Sequence, residues 1–440
     1  MRFILDALYL LAGAAISPMV IYRAFRHKRY RTGWAERFGK IARKNPTKKC
    51  IWLHAVSVGE VNASKTIITE LESRFPHFEI MITTTTDTGF GRAAALFGER
   101  LQVVYFPFDL SCIMRRAFGR IRPTLCLLME LEVWPNFVAT ANQLHVPVIV
   151  INGRISDKGF AGYSRIKSFA RSFFRKVDLV LAQTDEYARR FIELGCPKER
   201  VIVTGSLKYD TAHITDRVEG ACTLAAQLNI TGERLWVAGA TGDGEEQIIL
   251  NVYSRLIEQK EFADLRLAIV PRKPERFDEV AQLIEQSGFN LIRYSELKTA
   301  APDAGVKSKI ENRKLKIDAV VLGDTMGDLR KFYSLASVIF VGRSLVPMGG
   351  SDMMEAAALG KCTIFGPHAF NFKQAVEALL KENGAIMVKN EHELLQIMKK
   401  CLLEPDFARK IAANGQEVIR KNQGATAKTI EQISRFLTAS

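Results

Sequence analysis

The chain has 440 residues, 48% of them apolar, and at about 150 residues per domain this gives two or three domains, each able to bury a core. Such a composition excludes collagenous, disordered and disulfide-stapled classes. The formal charge of +15 is uneven, with +10 in residues 1–49 and only +5 in the other 391, so no nucleic-acid partner is expected, because a nucleic-acid enzyme carries its basic stripe along its folded domains.

The apolar run comes first. From Phe3 to Tyr22 only Asp6, Ser17 and Pro18 interrupt it, and twenty residues at about 1.5 Å each reach across a hydrocarbon core. Arg23, Arg26, His27, Lys28, Arg29 and Arg31 follow directly, and such residues stay on the cytoplasmic side. A cleaved signal peptide has the opposite charge order. Residues 1–31 therefore read as a membrane anchor with a basic flank. It is either single-pass or monotopic, lying in the interface with Tyr22, Phe25, Tyr30 and Trp34. Either arrangement puts a cytoplasmic body at the inner membrane.

Beyond Pro46, short β-branched runs alternate with helical stretches, which predicts parallel sheets covered by helices. Strands are expected at Ile51–Val56, Glu79–Thr85, Leu101–Phe106, Leu125–Met129, Val148–Asn152, Leu179–Gln183 and Val201–Thr204. Helices are expected at Val61–Arg74, Ser111–Arg120, Tyr163–Lys176 and Asp185–Leu194. After a pause over Tyr209–Leu228, strands resume at Leu235–Ala240, Leu265–Pro271, Ala319–Leu322, Val338–Val341, Thr363–Phe365 and Ile386–Lys389. Leu297–Lys316, with Pro302, reads as a loop or frayed insertion. This is an α/β chain of two doubly wound domains, 32–212 and 213–440, the second for nucleotide binding. Two such sheets facing a cleft would bind ligands at the carboxyl ends of their strands. The seven scattered cysteines, without a C-x-x-C pair, read as reduced thiols and give no zinc site.

Three features at strand ends carry chemistry. After the first strand, His54-Ala-Val-Ser-Val-Gly-Glu60 leads into a helix, and Glu60 reads either as a general base or as a complement to the helix dipole. After the fourth, Met129-Glu130-Leu131-Glu132-Val133-Trp134-Pro135-Asn136 reads as paired carboxylates or as a turn with Pro135 at the first helical position. In the second half, Gly239–Glu245, Gly323–Asp328 and Gly349–Asp352 are glycine-rich turns whose amides could receive a phosphate. Gly327, Gly350 and Ser351 belong to them, and Glu355 follows where it could accept from ribose hydroxyls. Lys208, Arg272 and Lys273 supply positive charge. No P-loop is present, and no turn is a dinucleotide fingerprint at a first strand.

With Trp34-Ala-Glu-Arg-Phe-Gly39, Gly205-Ser-Leu-Lys-Tyr-Asp210 and Gly366-Pro-His368 to Asn371-Phe372 added to these motifs, nearly the whole chain resembles the Kdo transferases. These are inverting glycosyltransferases of the two-domain GT-B class that move 3-deoxy-manno-octulosonic acid (Kdo) from CMP-Kdo onto a lipid A precursor. The resemblance implies Glu60 as catalytic base and Arg272, Met326 and Glu355 at the CMP site. Glu130, Glu132 and Lys208 then fall on the acceptor or transition-state side. No acidic cluster in the nucleotide half suggests Mg²⁺, so neither metal nor cofactor is expected. Three family histidines are replaced, by Gly242, Lys273 and Ser351, which bears on the donor. Two rival readings remain: another GT-B transferase or nucleotide-sugar epimerase, which gives the leader no purpose, and a membrane-tethered nucleotide-binding module, which has no use for Glu60.

Overall fold

The computed structural model describes residues 2–26, 32–299 and 319–438. The chain divides into two units, Met1–Thr211 with Asn422–Ser440, and Ala212–Lys421.

The first unit holds β1 (Lys49–His54), β2 (Phe78–Thr84), β3 (Gln102–Tyr105), β4 (Leu125–Met129), β5 (Val148–Gly153), β6 (Leu179–Ala182) and β7 (Val201–Val203) in one parallel sheet ordered β3-β2-β1-β4-β5-β6-β7. β2, β4 and β5 are buried at every position, as strands covered by helices on both faces must be. Trp52 fixes β1 against one helical layer, its ring centroid 4.9 Å from Phe137 and 5.1 Å from Phe118. The strand order reverses between β1 and β4, the switch point at which open α/β sheets bind ligands.

The second unit holds β8 (Arg234–Thr241), β9 (Leu265–Pro271), β10 (Asn290–Arg293), β11 (Ala319–Leu322), β12 (Val338–Val341), β13 (Cys362–Phe365) and β14 (Ile386–Met387), ordered β10-β11-β9-β8-β12-β13-β14. Its reversal lies between β8 and β12. Each expected strand forms within two residues at either end. The strand not expected is β10, an edge strand of four residues, none of them fully buried, so it lacks an apolar signature.

Several expectations change. The helix expected at Val61–Arg74 is two, Val58–Ala63 and Lys65–Arg74, and Tyr163–Lys176 falls across Asp157–Arg165 and Lys167–Phe174. Residues 300–318, most of the expected insertion, lie outside the described residues. The nucleotide-binding range 213–440 is too long, because the helix Ala425–Thr438 belongs to the first unit. Its apolar residues Ile430, Ile433 and Leu437 join the cluster of Ile67, Ile68 and Leu71, and Asp210 accepts from Gly424 N (2.7 Å) and Thr426 N (2.5 Å).

The leader is also tied to the body. It forms a helix, Arg2–Arg26, and the side chains of Asp6 and Tyr9 in it are bonded to the body. Asp6 accepts from Ser111 N (2.9 Å), the Ser111 hydroxyl and Asn136 Nδ2 (3.0 Å), while Tyr9 donates to Asp109 (3.1 Å). A sequence reading that treats Asp6 as a blemish in an apolar run misses that it caps the helix Ser111–Ile121, whose own N-cap, Leu110, has no side-chain acceptor. Among the described residues no helix is long and apolar enough to cross a membrane.

Candidate active site

The switch point of the first sheet gathers three carboxylates. Past β1, Ser57 N-caps the helix Val58–Ala63, and Glu60, three residues on, reaches back: Oε2 accepts from Val56 N (2.9 Å) and Oε1 from the Ser57 hydroxyl (2.8 Å). This is a variant of the capping box, with the carboxylate on the N–H one residue before the N-cap and on the N-cap hydroxyl, so the helix-start reading of Glu60 is realised in the geometry. It also fixes the carboxylate in one orientation, buried to 8% exposure. Burial raises the Glu60 pKa, the neighbouring charge of Glu130 adds to the rise, and the bonds from Val56 and Ser57 oppose it.

Glu130 directly follows β4 in left-handed backbone, φ 51°, its N–H donating to Ile151 O (3.0 Å). This turn, unusual for glutamate, brings the loop 130–134 back over the sheet. Glu132 accepts from the Trp134 indole (2.9 Å) and is pushed up to about 7, mostly by burial and then by the charge of Glu60. His54 stacks on Phe106 with centroids 3.8 Å apart, its Nδ1 3.0 Å from Thr83 O. Burial holds its pKa down at about 3, so the ring is neutral, and its buried Nε2, without a hydrogen bond, lies 3.9 Å from Glu132. Asp109, missed in the sequence, steadies the loop by accepting from Asn136 N (3.0 Å) and Phe137 N (2.7 Å) at the start of the helix Pro135–Gln143.

In the second unit the turns after β11, β9, β8 and β12 stand at the carboxyl ends of adjacent strands. The residue that organises two of them is Glu245, which is fully buried. It accepts from Gly242 N (3.0 Å), Arg343 N, Ser344 N (2.7 Å) and Leu345 N (2.8 Å), tying the turn after β8 to the turn after β12. The expectation that each glycine-rich turn offers amides to a phosphate is therefore corrected, because at Gly242 and at 343–345 the acceptor is this carboxylate. The third turn is similarly occupied: Gly350 N donates to Arg343 O (2.7 Å), Ser351 N to Gly342 O (3.1 Å) and the Ser351 hydroxyl to Ala240 O (3.0 Å). Gly349 and Gly350 sit at φ 91° and 80°, and a Cβ on Gly349 would lie 2.2 Å from Asn371 Nδ2. Gly350 and Ser351 thus shape the turn.

Open donors remain at Gly323–Asp328. The N–H groups of Thr325, Met326 and Gly327 have no acceptor among the described residues, and the Met326 side chain is 67% exposed. Arg272, anchored through its N–H to Thr241 O (3.1 Å), has an exposed side chain that acts electrostatically on Glu355. The Glu355 pKa is raised by burial and by Asp352, against the charges of Arg330 and Arg272. Arg272, Asp352 and Glu355 are thereby brought together, with Met326 and Gly327 past β11, the neighbour of β9. Lys208, on the first unit, is half-buried, and its ammonium is without a hydrogen-bond or ion-pair partner among the described residues. Among the described residues no group of three His, Cys, Asp or Glu side chains is placed to hold a metal ion.

The family model for 3-deoxy-D-manno-octulosonic-acid transferase matches residues 32–211, which include Glu60, Glu130, Glu132 and Lys208. The chain is 31% identical to the 3-deoxy-D-manno-octulosonic acid transferase of Haemophilus influenzae across 99% of each chain. It is 29% identical to that of Bordetella pertussis across 98% of this chain and 99% of that one. Among solved structures, a glycosyltransferase from Rickettsia africae matches with a TM-score of 0.56 over 90% of this chain and 100% of that one at 14% identity, a likeness of fold.

Proposed function

We propose a mechanism and a location for this chain from the premise that it belongs to the 3-deoxy-D-manno-octulosonic acid (Kdo) transferase family. It is a glycosyltransferase that transfers Kdo in lipid A and lipopolysaccharide synthesis, with CMP-Kdo as donor and a lipid A-type precursor as acceptor.

In the proposed reaction Glu60 takes the proton of the acceptor hydroxyl as that oxygen attacks the anomeric carbon and CMP departs, through an oxocarbenium-like transition state and with inversion. The observation that carries this is the contrast between neighbouring carboxylates. Glu60 is held by a backbone N–H and a hydroxyl, both of which favour its ionised form, whereas Glu132 has one indole N–H and a pKa of about 7. With its pKa raised to about 7, Glu132 keeps its proton more readily than an ordinary carboxyl group, which spares Glu60 part of a second adjacent charge. On the donor side, Arg272 and the open amides of Thr325 to Gly327 are the groups suited to the CMP phosphate, and Glu355 to the ribose hydroxyls. Mass spectrometry of a lipid A precursor incubated with CMP-Kdo and the purified full chain tests this reading. The expected product is heavier by one or more Kdo units, and an unmodified acceptor would contradict it.

The location we propose is the cytoplasmic face of the inner membrane, with the helix Arg2–Arg26 lying in the interface. Two features support it. Leu8, Leu10 and Leu11 are 57%, 61% and 68% exposed. Trp34, Phe38 and Phe108 are exposed as one aromatic group, with centroids 5.7 to 6.2 Å apart, and Phe108 adjoins Asp109, to which Tyr9 of that helix is bonded. The full chain should float with phosphatidylglycerol vesicles, and Leu8, Leu10 and Leu11 changed together to Ser should leave most of it in the dense fraction. Equal flotation of the two proteins would sink the interfacial reading.

A further inference from the structure

The carboxyl end of β5 leaves buried donors without acceptors. Its pairing with β6 slips between Val150 and Gly153, and Asn152, in the slip, takes left-handed backbone at φ 53°. Asn152 is fully buried. Its Oδ1 accepts from Leu207 N (3.1 Å) and its carbonyl from Gln183 Nε2 (3.0 Å), yet Nδ2 has no acceptor. Two residues later Arg154 repeats the pattern: it is half-buried, its Nε is buried without a hydrogen bond, and its guanidinium has no ion-pair or hydrogen-bond partner among the described residues. Lys208 follows Leu207, the residue bonded to Asn152, and its ammonium is likewise unpartnered among the described residues.

The neighbouring residues do not satisfy these donors. Arg190 packs beside the same segment and donates to Ile155 O (2.6 Å), Asp157 and Glu186. Arg154 pairs with none of the carboxylates of the site, although the Glu130 N–H is bonded to Ile151, one residue before Asn152. A half-buried guanidinium whose Nε is buried and open, and a fully buried amide, both lacking acceptors and set in a strand distortion, are an arrangement that an oxyanion satisfies. Arginine's planar fork matches phosphate and carboxylate oxygens, and neither donor can become an acceptor.

We propose that Arg154, with Asn152 Nδ2 and Lys208 beside it, is an oxyanion subsite that binds a phosphate or carboxylate group of a substrate. The inference rests on the Kdo transferase reading, in which both substrates carry such groups: the donor a carboxylate and a phosphodiester, the acceptor its phosphates.

The test is steady-state kinetics of Arg154→Gln and Arg154→Lys in the full chain, with melting curves. Arg154→Gln removes an unsatisfied buried donor, so it should melt at or above the wild-type temperature while KM for one substrate rises tenfold or more. Arg154→Lys should recover part of the loss. If the anion belongs to the acceptor, the penalty disappears when the acceptor is enzymatically dephosphorylated. If it belongs to the donor, the KM for CMP-Kdo rises and the dephosphorylated acceptor makes no difference. Arg154→Gln with kcat and both KM values within twofold of wild type overturns the proposal. So does Arg154→Gln melting well below wild type while Arg154→Lys keeps both KM values, since the guanidinium is then a structural group. Wild-type protein that transfers nothing from CMP-Kdo would instead refute the Kdo transferase reading.

Discussion

Glu60→Gln should fold, bind CMP normally and lose transfer by about 10²-fold or more. The geometry makes this substitution unusually clean. In the capping box a glutamine oxygen can still accept from Val56 N, and its amide can donate to the Ser57 hydroxyl, so the start of the helix Val58–Ala63 is preserved. What is lost is the capacity to take a proton. Were Glu60 only a complement to the helix, the change would cost roughly 0.3 to 1 kcal/mol of stability and leave turnover near normal. Near wild-type transfer would move the base role to Glu130, whose carboxylate has no hydrogen-bond partner among the described residues, or to Glu132.

Glu245→Ala should be the most damaging single change in the second unit. It strips the acceptor from four N–H groups, at Gly242, Arg343, Ser344 and Leu345, and these hold Arg343 in left-handed backbone at φ 60°. Each unsatisfied buried donor costs about 1 to 3 kcal/mol, so even with water entering the site a loss of about 3 kcal/mol or more is expected, and CMP affinity falls with the turns that shape its site. Glu355→Ala separates binding from folding. It should leave melting unchanged and weaken CMP binding by about 10- to 100-fold, corresponding to about 1 to 3 kcal/mol for a lost hydroxyl acceptor. Calorimetry with CMP and melting curves on both variants check the pair. Unchanged melting of Glu245→Ala would mean that the turns are held by other contacts, and unchanged CMP affinity of Glu355→Ala would put the nucleotide elsewhere.

The parallel strands were legible because strands buried on both faces read as continuous apolar runs, and β4, β9 and β11 match their expected limits to the residue. β10 was not, because an edge strand with partly exposed residues has no such run. The helix Ala425–Thr438 has the amphipathic pattern of any surface helix, and nothing in that pattern says which sheet it covers. At the site, Glu60 was visible as a carboxylate at a strand end, and its neighbourhood with Glu130 follows from β1 lying beside β4. The glycine-rich turns were read too generously. A turn with spare amides and a turn whose amides are filled by a distant carboxylate look alike in sequence, and Glu245 stands 98 residues from one of the groups that it binds, Arg343. The attachment of the leader is hidden for a related reason, since the partners of Asp6, Ser111 and Asn136, are more than 100 residues away.

The most direct test of the mechanism is the pH dependence of single-turnover transfer, comparing wild type with Glu60→Gln at saturating CMP-Kdo. Burial and the charge of Glu130 raise the Glu60 pKa, so its ionised fraction, and with it the wild-type rate, should fall as pH drops, beginning above the ordinary carboxylate range. The variant should show a residual rate about 10²-fold lower or less, without that acidic limb. A Glu60→Gln protein that keeps both the wild-type plateau and the wild-type acidic limb would contradict the account, because the group that titrates in the transfer step would then not be Glu60.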